Sequence, residues 1–257
     1  MPYHIRTPEQ VAKLHPLVDV SAIYGVAHTP TDGHADPTGA THACAQDARK
    51  LGASIERQRP VTELYKRDNI WVITTEKGEI TAQNVVMAAS FWSRELLALL
   101  VLNVPLYATQ HHELITELIP ELVGRKGEIP ALRDSYASCN IRQEGQGLLV
   151  GIYETEPKFW ALDGIPKEFA EDLFPPETDR LLPHLERVME RVPAFANAGI
   201  KTINNGPFCF TPDGLPMLGP MPDHAGLWMA SGFNVGIGTG GGGAEYLAHW
   251  RKRAAPF

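Results

Sequence analysis

Apolar and polar positions alternate with period two over Val61 to Arg67 and Ile70 to Thr75, which predicts a half-buried antiparallel pair, and Lys77-Gly78-Glu79 supplies a tight turn after it. Val104 to Thr116 and Leu148 to Tyr153 predict strands of another sheet, and Ser54 to Glu56, Ile200 to Asn204 and Leu227 to Ala230 predict shorter ones. Asn84 to Ala89 is a continuous apolar run and predicts a strand buried on both faces. The small residues at its end let another group approach the backbone closely. A helical period governs Thr178 to Val192, where Leu181, Leu185, Val188 and Val192 form one stripe and Pro193 stops the helix. Further helices are predicted after Thr7-Pro8, from Pro37 to Lys50 with Gly52 as a left-handed cap, and from Ser93 to Leu102. A last helix runs through Glu245 to Trp250, after a glycine-rich loop.

Strands and helices alternate before Pro105 and after Ile200, as in an α/β layer, whereas the middle reads as an antiparallel sheet with one helix. The architecture expected is therefore α/β plus α+β: one domain made of residues 1–104 and 201–257, with a second domain, 105–200, inserted into it.

Composition narrows the classes. A chain of 257 residues with 44% hydrophobic and 21% charged residues can bury a sizeable core. Its net charge is −7 and it has no basic face, so nucleic acid is not an expected partner; Arg251-Lys252-Arg253 reads as the decoration of a last helical turn. The three cysteines, Cys44, Cys139 and Cys209, are far apart and form no CxxC pair, so no metal site and no disulfide framework is expected. They read as buried, reduced thiols. No window reaches the length of a membrane span and the first residues carry no apolar signal region. The expected location is the cytoplasm, or an organelle such as the mitochondrion if a targeting segment is missing.

The chemistry concentrates between Asn204 and Trp250. A strand runs into Ser231-Gly232-Phe233-Asn234, then into glycines at 236, 238, 240, 241, 242 and 243, then into a helix. Glycines allow positive φ and close approach, and a helix N-terminus offers free N–H groups and a positive dipole end. That combination suits an anion or a partly negative carbonyl. The turn at Asp213-Gly214 reads as a second wall of the same site. The junction alone is compatible with a structural crossing or a phosphate loop. It carries no Gly-Lys-Ser/Thr, and it lies too near the end of the chain for the GxGxxG unit of a dinucleotide fold.

FTPDGLPMLGP followed by GLWMASGFNVGIGTGGGGAEYLAHW resembles the C-terminal signature of the D-amino-acid-oxidase-like flavoproteins, closest to the dimethylglycine and sarcosine dehydrogenase group. HTPTDGHADPTGATHACAQDARKLGA, RPVTELYKRDNIWVITTEKGEITAQNVVMAASFWS and CNIRQEGQGLLVGIYETEP are similar to that group in the same order. The resemblance implies a partial, Rossmann-like FAD-binding domain with an inserted substrate domain. It implies FAD as cofactor and, as substrate, a small amine: an N-methylated or secondary amino acid oxidised at its C–N bond. It sets Val61 against the adenine, Ala88, Ala89 and Trp92 beside the FAD, and Asp213 and Gly214 near the flavin ring. It lines the pyrimidine side of that ring with Gly232, Phe233, Asn234, Val235, Gly236 and Ile237, whose N–H groups would stabilise charge on reduced flavin. His111 would face the substrate, and Arg142 and Tyr153 are candidates for holding a carboxylate.

The sequence departs from the pattern in places. The family's GxGxxG unit is not found, which implies that an N-terminal FAD-binding segment or partner chain completes the enzyme and that the Val85 to Ala89 strand has an exposed edge. Ser90 stands where relatives commonly have glycine, adding bulk near the FAD. Glu113 stands where near relatives have tyrosine and would favour a cationic amine lacking a carboxylate. The alternatives are a flavin oxidoreductase for another small substrate, and a truncated, non-catalytic fragment that binds a partner.

Overall fold

A computed structural model describes residues 2–170 and 172–254. Its elements are β1 (His4–Arg6), α1 (Pro8–Leu14), β2 (Val26–His28), α2 (Pro37–Lys50), β3 (Val61–Arg67), β4 (Ile70–Thr75), β5 (Gly78–Ala82), β6 (Val85–Met87) and α3 (Trp92–Ala98). They continue with β7 (Tyr107–Thr116), β8 (Leu132–Asp134), β9 (Cys139–Glu144), β10 (Gly147–Ile152), β11 (Lys158–Trp160), α4 (Thr178–Arg191), β12 (Ile200–Phe210), β13 (Met217–Pro220), β14 (Leu227–Ser231) and α5 (Gly236–Ala254). The chain forms two compact units: one holds residues up to 34, 110–158 and 170–207, the other 35–109, 159–169 and those from 208 on. Relative to the boundaries expected at 104/105 and 200/201, the first 34 residues group with the middle of the chain.

In the first unit an antiparallel sheet runs β7, β10, β9, β8, with β12 also paired to β7. One sheet face buries Leu114 on β7, Leu148, Val150 and Ile152 on β10, and Cys139 and Ile141 on β9. The α4 stripe of Leu181, Leu185 and Val188, with Val192 after it, joins the same core, as its period predicts. The opposite sheet face keeps half-buried polar residues, among them Glu113, Asn140, Arg142 and Tyr153.

The second unit has a meander, β3-β4-β5, and a mixed sheet, β13-β14-β6, in which β6 and β14 run parallel. Trp71, Met87, Leu97, Leu227 and Met229 centre its core. Asp36 caps α2 by accepting from Thr38 and Gly39 N–H groups. Gly52, at φ +92°, closes α2 with Ala53 N–H bonded to Ala48 and Gly52 N–H to Arg49, a Schellman pair.

Several expectations are corrected. Residues 54–56 form no strand, having no partner strand to pair with. The helix expected through Leu102 ends at Ala98; Val101 adopts φ +58°, and Val101 and Leu102 N–H groups turn back to Ala98 and Leu97. The strand at Val85–Met87 is an edge strand with Val86 46% exposed, so only one of its faces is covered within the described residues. Cys139 and Cys209 are buried but Cys44 is exposed, because α2 buries none of its residues.

Candidate active site

Two parallel strands end side by side in the second unit. Leu227, Trp228 and Met229 of β14 pair with Val85, Val86 and Met87 of β6, so Ala88-Ala89 and Ser231-Gly232 emerge at one edge. In open α/β sheets ligands bind at this carboxyl edge. A relay of hydroxyl groups pins the two ends. Ala89 N–H donates to Ser93 Oγ (3.2 Å), Ser93 and Ser231 Oγ atoms lie 2.6 Å apart, and Ser231 donates to the Met87 carbonyl (3.1 Å). Since the Ser231 proton goes to Met87, Ser93 donates to Ser231. Both serines are fully buried. Neither serine was singled out from the sequence: Ser231 follows its apolar strand directly, but Ser93 lies four residues beyond Ala89, inside α3.

Gly232 must be glycine. Its φ is +80°, and a Cβ there would stand 2.6 Å from Thr211 Cγ2 and 3.1 Å from Leu106 Cδ2. Asp213 and Gly214 form the expected turn. Asp213 Oδ1 accepts from Leu215 N–H (3.0 Å) and the Thr211 hydroxyl (3.2 Å), and these bonds hold its carboxyl below the ordinary value. Gly214, at φ +72°, brings the turn against Asn234, whose Nδ2 is 3.8 Å from where a Cβ would sit.

The glycine run is helix rather than loop. Thr239 N–H bonds Val235 O at 3.0 Å, closing a first turn, and α5 starts at Gly236. A helical glycine costs about 1 kcal/mol relative to alanine. Packing explains Gly243, where a Cβ would meet Phe233 at 2.7 Å, but Gly236, Gly240, Gly241 and Gly242 have nothing within 4 Å. Val235 and Ile237 beside them are 50% and 54% exposed. Gly236 and Gly240, one turn apart, leave a Cβ-free strip beside free N–H groups at the helix N-terminus, a combination that suits a partly negative group.

Trp92, the first residue of α3, stacks on Phe91 (4.1 Å between ring centroids) and lies 6.1 Å from Phe169, so it packs in an aromatic cluster. Val61 opens β3, opposite Thr75, in the separate meander.

His111 and Glu113 stand on β7 in the first unit. Adjacent strand residues turn to opposite sides, yet the rings of His111 and His112 both reach one carboxylate. The β7–β10 ladder ends at Glu113↔Gly151, and three residues later Glu154 takes the place of the missing strand partner. It accepts His112 N–H (3.1 Å) and meets His112 Nδ1 at 2.5 Å and His111 Nδ1 at 2.6 Å. Arg180 approaches to 3.8 Å. Glu177 N–H donates to His112 Nε2 (3.1 Å), so that nitrogen carries no proton and Nδ1 does. Burial pushes Glu154 up, but the bonds from His111 and His112 outweigh it and hold the carboxyl at about 2. Glu154 was missed because it sits in a loop-like GIYETEP stretch with no local pattern. Glu113 is apart from this cluster and accepts from Asn204 Nδ2 at 3.0 Å. Arg142 is engaged by Glu144, and Tyr153 by Asn140 and the Arg133 guanidinium.

The chain matches the family described as FAD dependent oxidoreductase over residues 1–250. It is 39% identical to mitochondrial dimethylglycine dehydrogenase of Mus musculus over 98% of this chain and 30% of that protein. Mitochondrial sarcosine dehydrogenase of Mus musculus is 33% identical over 98% of this chain and 28% of its own length. The chain therefore spans less than a third of these curated relatives. Its fold is that of L-proline dehydrogenase from P. horikoshii, with a TM-score of 0.84, 24% identity, and 99% of this chain matched to 66% of that one. With a family match covering nearly its whole length, the chain belongs to the FAD dependent oxidoreductases.

Proposed function

We propose that this chain serves the FAD-dependent oxidation of the C–N bond of an N-methylated or secondary amino acid. The observation that carries the reading is the carboxyl edge of β6 and β14, pinned by Ser93 and Ser231 and followed by the uncovered glycine face of α5. Bound FAD would supply the acceptor for a hydride equivalent from the carbon next to the amine nitrogen; water then hydrolyses the resulting iminium. The chain's residues position and polarise. Gly232, Phe233, Asn234, Val235, Gly236 and Ile237 offer N–H groups, Asp213-Gly214 forms a wall with Asn234, and Ala88-Ala89 let the cofactor approach. In this reading Val61 and Trp92 flank the cofactor and His111 faces the amine. The names of the relatives favour dimethylglycine-like or sarcosine-like substrates, and both are named mitochondrial, which favours the organellar of the two expected locations. Among the described residues no helix is long and apolar enough to cross a membrane.

Glu113 supports a second reading of the substrate. A half-buried carboxylate on the polar sheet face, oriented by Asn204, suits a cationic amine without a carboxylate. Amine-dependent flavin reduction by Glu113→Tyr separates the two. A shift toward N-methyl amino acids supports the acidic-pocket reading, and unchanged preference removes it.

A further inference from the structure

We propose that Glu154 is a positioning residue: it fixes the tautomer and the orientation of His111. This rests on the reading that His111 faces the substrate. His112 is a fully buried ring whose two nitrogens have opposite duties. Glu177 N–H occupies Nε2 at 3.1 Å, so the ring proton sits on Nδ1 and points at Glu154 Oε1, 2.5 Å away. That oxygen also takes the His112 backbone N–H at 3.1 Å, and Arg180 stands 3.8 Å from it. With Oε1 saturated by donors, the carboxylate cannot rotate without losing several bonds at once. Its second oxygen, Oε2, is left aimed at His111 Nδ1, 2.6 Å away.

A carboxylate at that distance requires a proton on His111 Nδ1, since two acceptors cannot share the contact. Proton exchange or hydrogen bonding with a bound amine then has to pass through Nε2. His112, Glu177 and Arg180 thus act on His111 through Glu154. Where a carboxylate orients a metal-bound imidazole its loss costs roughly 10–100-fold, and that sets the scale expected for Glu154.

The test is Glu154→Gln, with Glu154→Asp as a second variant that keeps the charge but is too short to bridge both rings. A glutamine amide can serve only one imidazole as acceptor and presents N–H groups to the other, so one ring must change tautomer or turn. Histidine side-chain nitrogen NMR of the chain reads this directly, without flavin. In wild type His111 and His112 should both show the Nδ1–H pattern. In Glu154→Gln the His111 pattern should change, while Glu154→Asp should retain Nδ1–H at His112 and lose the narrow His111 signature. Where amine-dependent flavin reduction is measured, kcat should fall tenfold or more with KM nearly constant. A His111 pattern unchanged in both variants overturns the positioning role. If His111→Ala leaves amine oxidation unaffected, the reading of His111 as the substrate-facing group fails instead, whatever the NMR shows for Glu154.

Discussion

Ser93 and Ser231, separated by 138 positions, share a 2.6 Å hydrogen bond with neither side chain reaching solvent. Through it the turn after β6 and the end of β14 become one object: each hydroxyl also holds a backbone group of the β6 end, Ala89 N–H or Met87 O. Ser231→Ala would strand the Ser93 hydroxyl and the Met87 carbonyl. A loss of about 1–3 kcal/mol is expected, or a fall in Tm of roughly 2–10 °C for a chain of this size. The double variant with Ser93→Ala should cost clearly less than the sum of the singles, as expected for groups in one network. Additive losses in thermal unfolding would show that the relay does not act as a unit.

Val101 is a β-branched residue at φ +58° and is 94% exposed, so its side chain packs against almost nothing. The left-handed conformation costs a non-glycine residue about 1–2 kcal/mol. Even after the extra chain entropy of glycine, Val101→Gly should raise stability by up to about 1 kcal/mol. Thermal unfolding should show a Tm higher by roughly 2–4 °C. A lower Tm would mean that the turn is not held in this conformation.

His15 links stability to pH. It is 3% exposed, and both ring nitrogens lack partners among the described residues. Burial, with the Arg125 charge adding to it, pushes its value down from 6.5 to about 4. A base whose folded value is depressed leaves the unfolded chain holding more protons between these limits. Its contribution is therefore intact above pH 6.5 and is lost as pH falls toward 4, on the order of 3 kcal/mol in all. His15→Leu, facing Val11, Leu14 and Val18, should flatten the Tm-against-pH curve in that window. An unchanged slope would place the acid sensitivity elsewhere.

Glycines of α5 separate fold from function. Gly241→Ala meets nothing within 4 Å and gains helix propensity, so it should stabilise the chain by about 0.5–1 kcal/mol. Gly243→Ala brings a Cβ to 2.7 Å from the Phe233 ring and should destabilise it despite the same gain. Equal Tm values for the two would contradict the packing of Phe233 on this helix.

Much of this was readable from the sequence because local rules and tertiary packing agree there. The α4 stripe, the alternation of β3 and β4, and the Gly52 cap are set by residues close in sequence. The glycine run misled because propensity reads Gly236 to Gly243 as a breaker, whereas the helix is set by its place after β14 and by packing of Leu247 and Trp250. Ser93–Ser231 and His111–His112–Glu154 were invisible for another reason: their partners lie 138 positions apart in the first case and 43 and 42 in the second, and no periodicity encodes such pairs. The residues proposed around Gly232 rest on the resemblance, and the positive φ at Gly232 and Gly214 gives a physical reason for glycine at those two positions.

The most direct measurement is the absorbance of the purified chain between roughly 300 and 550 nm, the flavin range, after incubation with FAD and desalting. Wild type should be compared with Gly236→Val, a variant that meets no atom of its own chain within 4 Å of the new Cβ. Flavin bands are expected in the wild type, and their loss in Gly236→Val at similar Tm. Equal retention by the two would contradict a flavin site on the glycine face of α5, and no retention by either would mean that FAD binding needs the further segment or partner chain expected from the sequence.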